Sequence, residues 1–188
     1  MKPTVLGIVI VLALLAAGAI FYGGSALTPT PATPVVQSYA NDGLGLSFTF
    51  PAGYLLAEED ANTPTHRKHH ITLIREEDAV PVVAGGEGPT AITIDVDQDL
   101  SRTGPYDDVL SIVQSTSAYN FQLSDGTYER TSVDGTPAVH YTWSGLYQGE
   151  TTAFIHNGQV MLLSVTYMSP SDQIRTDYQN LLSSFRLH

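Results

Sequence analysis

The sequence predicts an α+β domain, an antiparallel sheet with helices on both faces in an α/β/α sandwich, preceded by an N-terminal transmembrane helix. Three observations predict it. The final third of the chain alternates strand-like runs with Asp134-Gly135 and Asn157-Gly158, dipeptides suited to tight hairpins. Two of those runs, Ala138 to Leu146 and Val160 to Met168, are apolar on both alternating sets, so a sheet made of them needs a cover on each side. Two amphipathic helical patterns, one at residues 106 to 115 and one after Ser169, can supply the covers.

Residues 5 to 22, VLGIVIVLALLAAGAIFY, carry no charge. As a helix rising ~1.5 Å per residue they span ~27 Å, close to a hydrocarbon core. A signal-peptide core runs only ~7 to 15 residues, so residues 1–23 read as an uncleaved anchor. The small residues Gly24-Ser25-Ala26 keep a cleaved signal open as the alternative. Lys2 is the only nearby positive charge, which places the N-terminus in the cytoplasm. The expected location is therefore the cell membrane, single-pass, with the C-terminal domain extracytoplasmic. Residues 24–37 follow as a Pro/Thr-rich linker, where Pro29, Pro31 and Pro34 impose extended geometry.

The folded domain is expected over residues 38–188. Leu46 to Phe50 alternates with period two and stops at Pro51-Ala52-Gly53, after which Tyr54 to Leu56 resumes. His70 to Arg75 and Ala91 to Val96 read as further strands, followed by Thr127 to Ser132, Ala138 to Leu146, Thr151 to His156 and Val160 to Met168. The last four suggest an antiparallel meander. In the first helix Tyr106, Val109, Leu110 and Val113 share a face, with Asp107 and Asp108 in the first turn, where the helix dipole favours them. In the second, Ser169-Pro170-Ser171-Asp172 offers an N-cap and an N1 proline, and Ile174, Tyr178, Leu181, Leu182 and Phe185 form one stripe.

Charge bounds the partners. The chain holds 19 acidic residues against 8 basic ones, a formal net charge of −11, and every Asp and Glu lies beyond residue 41. Such a field repels nucleic acid and anionic headgroups, so no nucleic-acid partner is expected. Cysteine is absent, which removes disulfides, thiolate metal sites and a cysteine nucleophile.

The stretch from Tyr39-Ala-Asn-Asp-Gly43 through Gly45-Leu-Ser-Phe-Thr-Phe-Pro51-Ala-Gly-Tyr54, with the closing strand, helix and Leu182-Ser-Ser-Phe185, resembles the Mog/PsbP-like superfamily. Leu44, Leu46 and Tyr54 depart from that pattern, which often has an aromatic beside the glycine and Trp at the last position. The resemblance implies an α/β/α sandwich and a binding or accessory module, as in the extrinsic photosystem subunits and a Ran-binding import factor. It carries over no functional residue and implies a non-enzymatic protein; a protein partner and no cofactor are expected.

Several stretches remain as candidate chemistry. His66-Arg67-Lys68-His69-His70 is the densest positive spot of an acidic domain. In a strand, His66 and His70 share a face but stand ~13 Å apart with Lys68 between them, poor geometry for one ion. The stretch therefore reads as a solvated strand lead-in, with His66, Arg67, Lys68 and His70 as the alternative candidates for contact with an acidic partner and no carboxylate expected nearby. Asp95, Asp97 and Asp99 alternate with inward Ile94 and Val96, as on a charged sheet edge. They are weak metal candidates, a loose Ca²⁺ site with Asp107 or Asp108. An EF-hand is excluded, because Leu100 stands where its glycine belongs and Tyr106 where its glutamate belongs. The loop Ala84 to Pro89 lacks the Lys-Ser/Thr of a P-loop. Ser144 lies outside a G-x-S-x-G pattern, so a hydrolase pairing it with His140 or His156 has little support. Tyr141, Trp143 and Tyr147 suit a core row or, alternatively, a ligand groove. The enzyme alternative is an envelope hydrolase or a metal-dependent enzyme; a structural envelope protein without a discrete ligand is the third reading.

Overall fold

The computed structural model describes residues 35–80, 88–104, 106, 108–115 and 119–188. The expected membrane segment, most of the linker, Asp107 and the greater part of the glycine loop lie outside the described residues. Among the described residues no helix is long and apolar enough to cross a membrane.

The order is β1 (Val36–Asn41), β2 (Leu46–Pro51), β3 (Tyr54–Asp60), β4 (His66–Arg75), β5 (Ile92–Asp99), α1 (Val109–Ser115), β6 (Glu129–Val133), β7 (Thr136–Ser144), β8 (Gln148–His156), β9 (Gln159–Tyr167), α2 (Gln173–Ser184) and β10 (Arg186–Leu187). Seven strands form one antiparallel sheet in the order β3-β4-β5-β9-β8-β7-β6. The expected meander is present as β6 to β9. Its turns are those named from the sequence: Asp134 and Gly135 have φ of 47° and 79°, and Asn157 and Gly158 have 49° and 73°, the left-handed pair that a two-residue hairpin requires.

The single expected sheet is in fact two. β1, β2 and β10 form a separate three-stranded sheet. The chain leaves it at Pro51 and enters the large sheet at Tyr54, and Gly53 makes the change of direction at φ 91°, a conformation costly for any residue with a Cβ. The small sheet also takes in Val36 and Gln37 from the expected linker, because β1 pairs in full with β2, Val36 opposite Pro51 and Asn41 opposite Leu46. Tyr39 then stacks on Phe48 at 5.0 Å between ring centroids.

Two cores flank the large sheet. On one face, Ile71, Leu73, Ile92, Ile94, Phe154 and Leu163 meet the small sheet and α2, whose Ile174, Tyr178 and Leu181 are fully buried together with Phe185 at its C-cap. The stripe read from the sequence is the buried one, with Leu182 at its margin only partly covered. On the other face, Val109 and Val113 of α1 pack with Phe121, Val139, Tyr141 and Leu162. Helices therefore cover both faces, as the doubly apolar strands demand.

Both helices begin three residues later than expected. α1 starts at Val109. α2 starts at Gln173, with Asp172 as N-cap in an extended conformation. The cause lies in Asp172 itself, whose Oδ2 accepts the backbone N–H groups of Met168 (2.8 Å) and Ser169 (2.9 Å) and so closes a turn across Ser169-Pro170-Ser171. A carboxylate engaged backwards fixes the turn rather than extending the helix through it.

Candidate functional site

Two stretches that are 25 residues apart in sequence lie side by side. In the β4–β5 register His66 stands opposite Asp99, Lys68 opposite Asp97 and His70 opposite Asp95. All six share the face away from Ile92, Ile94 and Val96. Far from lacking a nearby carboxylate, the positive stretch meets one at each alternate residue. Asp95 accepts from Lys68 Nζ at 3.0 Å and from His70 Nδ1 at 2.8 Å. The Asp95 hydrogen bond raises the His70 pKa, against the opposing effect of burial. Burial pushes the Asp95 carboxyl up, but His70 and Lys68 together hold it below its ordinary value. Nor are the aspartates at a sheet edge, since β5 is hydrogen-bonded to β4 on one side and β9 on the other.

The three aspartates do not act as a group. Four residues of strand separate Asp95 from Asp99, ~13 Å of rise. Asp97 Oδ2 accepts from the Tyr119 hydroxyl at 2.8 Å, while Asp97 Oδ1 is buried without a partner among the described residues. Asp99 Oδ1 accepts from the Ser101 hydroxyl (2.6 Å) and backbone N–H (2.8 Å), contacts that hold its carboxyl below the usual range, and His66 Nε2 lies 4.0 Å away. Among the described residues no three His, Asp or Glu side chains converge as ligands of one metal ion. His69 faces the opposite side, with Nδ1 2.7 Å from Asp60 and Nε2 3.0 Å from Glu58, which also accepts the Tyr39 hydroxyl. Of the five residues, Arg67 alone makes no ion pair among the described residues.

A cleft of about 790 Å³ opens where the chain passes between the two sheets. Its apolar wall is the Phe50-Pro51-Ala52-Gly53 corner with Val36, and its polar wall comes from the end of β4 and from α2. Gln173, Asp177 and Asn180 recur at i, i+4 and i+7, the flank of α2 beside its buried stripe. Asp177 is only 6% exposed. Its Oδ2 accepts the Tyr54 hydroxyl at 2.8 Å and its Oδ1 the Gln173 amide at 2.9 Å. Burial, then the Asp177 carboxylate, push the Tyr54 hydroxyl well above its ordinary pKa. At the mouth, Glu76, Glu77 and Asp78 form a single 3-10 turn anchored by the Glu76 N–H to the Gly53 carbonyl (2.8 Å). Arg75 is held within that turn, 3.1 Å from Glu77 and 2.6 Å from Asp78. Sequence reasoning passed over this cleft. Its signals were the Glu-Glu-Asp run that ends a strand and a second, polar stripe on α2.

The remaining candidates are scattered. Ser144 and His140 lie four residues apart on β7, and His140 is engaged with Thr152 Oγ1 at 3.1 Å. His156 is at the opposite end of β8 from Gln148, the residue paired with Ser144. Tyr141 is core, packed edge-on against Phe121 at 5.0 Å with its hydroxyl on the Tyr119 carbonyl. Trp143 lies across Gly149, and Tyr147 points elsewhere, to the Gly88 carbonyl at 2.8 Å. The row is thus part core and part loop. Beneath α2, Glu150 is 1% exposed and accepts from Arg175, from Tyr167 (3.2 Å) and from Gln179 (3.1 Å).

No family model and no curated protein matches the chain. Among solved structures it is similar to the solution structure of cyanobacterial PsbP (CyanoP) from Synechocystis sp. PCC 6803, with a TM-score of 0.55 and 13% identity over 88% of this chain and 98% of that one. At that identity the likeness speaks for architecture alone, and the fold of this chain is PsbP-like.

Proposed function

We propose that the domain is an accessory module that binds a partner protein outside the cytoplasm, tethered to the membrane by its N-terminal segment. The observation that carries the binding role is the state of the cleft. Its one buried carboxylate, Asp177, accepts a hydrogen bond on each oxygen, from Tyr54 and from Gln173, an arrangement that fixes a wall of the cleft rather than aiming a free base into it. A concavity of about 790 Å³ lies within the range of ligand clefts, roughly 300–1,000 Å³. The PsbP-like fold supports the same role through the resemblance to accessory proteins. The membrane tether rests on the apolar run at residues 5 to 22 and on Lys2.

Crosslinking in intact cells, followed by identification of the adducts, tests the binding role: a discrete partner is expected. A protease added outside those cells tests the placement. If it leaves residues 38–188 untouched, the extracytoplasmic assignment is wrong.

A further inference from the structure

We infer that the cleft between the Phe50–Tyr54 corner and α2 takes a lysine or arginine side chain carried on an apolar segment of the partner protein. This inference rests on the accessory-module reading and names the chemistry of the contact.

The lining supplies three carboxylates, Glu76, Glu77 and Asp177, against one guanidinium, Arg75. That guanidinium is already committed to Glu77 and Asp78, so the cleft holds no cation available to an anionic ligand. Glu76 stands exposed at the mouth, with no ion pair to it among the described residues. A wholly apolar ligand would strip water from it with nothing in return. A small metal ion fits no better, because the Asp177 oxygens are both in use and no three acidic side chains converge. What suits a wall that is apolar along Val36, Pro51 and Ala52 and acidic at one end is a side chain with a hydrocarbon stem and a cationic tip. Val36 is 59% exposed, an open apolar surface beside the acidic end for the residues flanking that side chain. The strongly acidic chain as a whole favours approach of such a partner.

The test titrates the full chain in detergent micelles, followed by amide NMR, with N-acetyl-lysine methylamide and N-acetyl-arginine methylamide. The uncharged N-acetyl-norleucine methylamide is the control. Saturable shifts are expected at Gly53, Tyr54, Glu76 and Asn180 with the cationic amides and not with norleucine. The E76Q/E77Q variant removes two exposed charges without touching the core, and it is expected to weaken binding about threefold to tenfold. The inference is overturned if no shift occurs, if norleucine acts equally, if the shifts centre on Glu58–Asp60 or on Asp95–Asp99, or if E76Q/E77Q changes nothing. A partner crosslinked in cells only at surfaces away from the cleft would likewise end this inference while leaving the accessory role standing.

Discussion

The Tyr54 hydroxyl donates to Asp177 Oδ2 across 2.8 Å, joining the first residue of the edge strand β3 to the middle of α2, 123 residues later. Neither group meets bulk water there: Tyr54 and Asp177 are each 6% exposed. With the Ser184 hydroxyl, which accepts the Thr49 N–H at 2.9 Å, this bond ties α2 to the corner where the chain changes sheets, and both of its residues line the cleft. Replacing Tyr54 with Phe leaves a buried carboxylate oxygen unpaired, and the expected cost is about 1–3 kcal/mol in urea unfolding. A loss below a few tenths would mean that water replaces the hydroxyl and that the bond is not structural.

Much of this arrangement was legible in the residues. The α2 stripe, the two Asx-Gly hairpins and the need for a cover on each face follow from short-range periodicity, and short-range periodicity is what a sequence displays directly. The small sheet was not legible, because β2 and β3 look alike and only their long-range partners separate them. The same limit hid the ladder. His66-Arg-Lys-His-His70 and Asp95-Val-Asp97-Gln-Asp99 were each visible, but nothing local states that β4 and β5 place them opposite one another. Asp177 was hidden for another reason: it occupies the polar side of an amphipathic helix, and a second structural layer buries it.

The ladder has a pH signature. His70 has a raised pKa in the folded state, so its contribution is fully present below its unfolded value near 6.5 and is lost as pH rises through the folded value. Asp95 is depressed, so its contribution is present above its unfolded value near 3.8 and is lost as pH falls through the folded value. The pair therefore supports the fold most between those two limits. The Lys68 ammonium opposes His70 protonation and the Glu59 carboxylate favours it, so both belong to the response. Thermal melts across pH 6 to 8 should show the wild type losing stability as pH rises, by no more than about 1 kcal/mol at this partial exposure. H70Q should flatten that slope, and an unchanged slope would assign it to other groups.

Trp143, the only tryptophan, covers Gly149 so closely that a Cβ built there would lie 2.3 Å from its Cε2 and Cζ2 atoms. Its indole N–H also donates to Thr151 at 3.0 Å, so the ring cannot slide aside without losing that bond. G149A is expected to cost about 1–3 kcal/mol by overpacking and to shift the tryptophan emission. Unaltered emission would show that the ring is free to move.

Removing Arg175 strands Glu150, which lies almost fully buried under α2. R175M should cost up to about 3 kcal/mol, and E150Q/R175M should be less damaged than the single variant, because the uncompensated charge is gone. If the two losses simply add, the ion pair is not coupled.

Seating of a partner's cationic side chain in the cleft is read most directly by site-specific crosslinking. A photoreactive residue at Asn180, on the cleft wall, is compared in intact cells with one at Arg130, exposed on the far edge strand β6. The prediction is a discrete partner adduct from Asn180, greatly reduced in the E76Q/E77Q background, and none from Arg130. Adducts from Arg130 alone, or an Asn180 adduct indifferent to E76Q/E77Q, would contradict it.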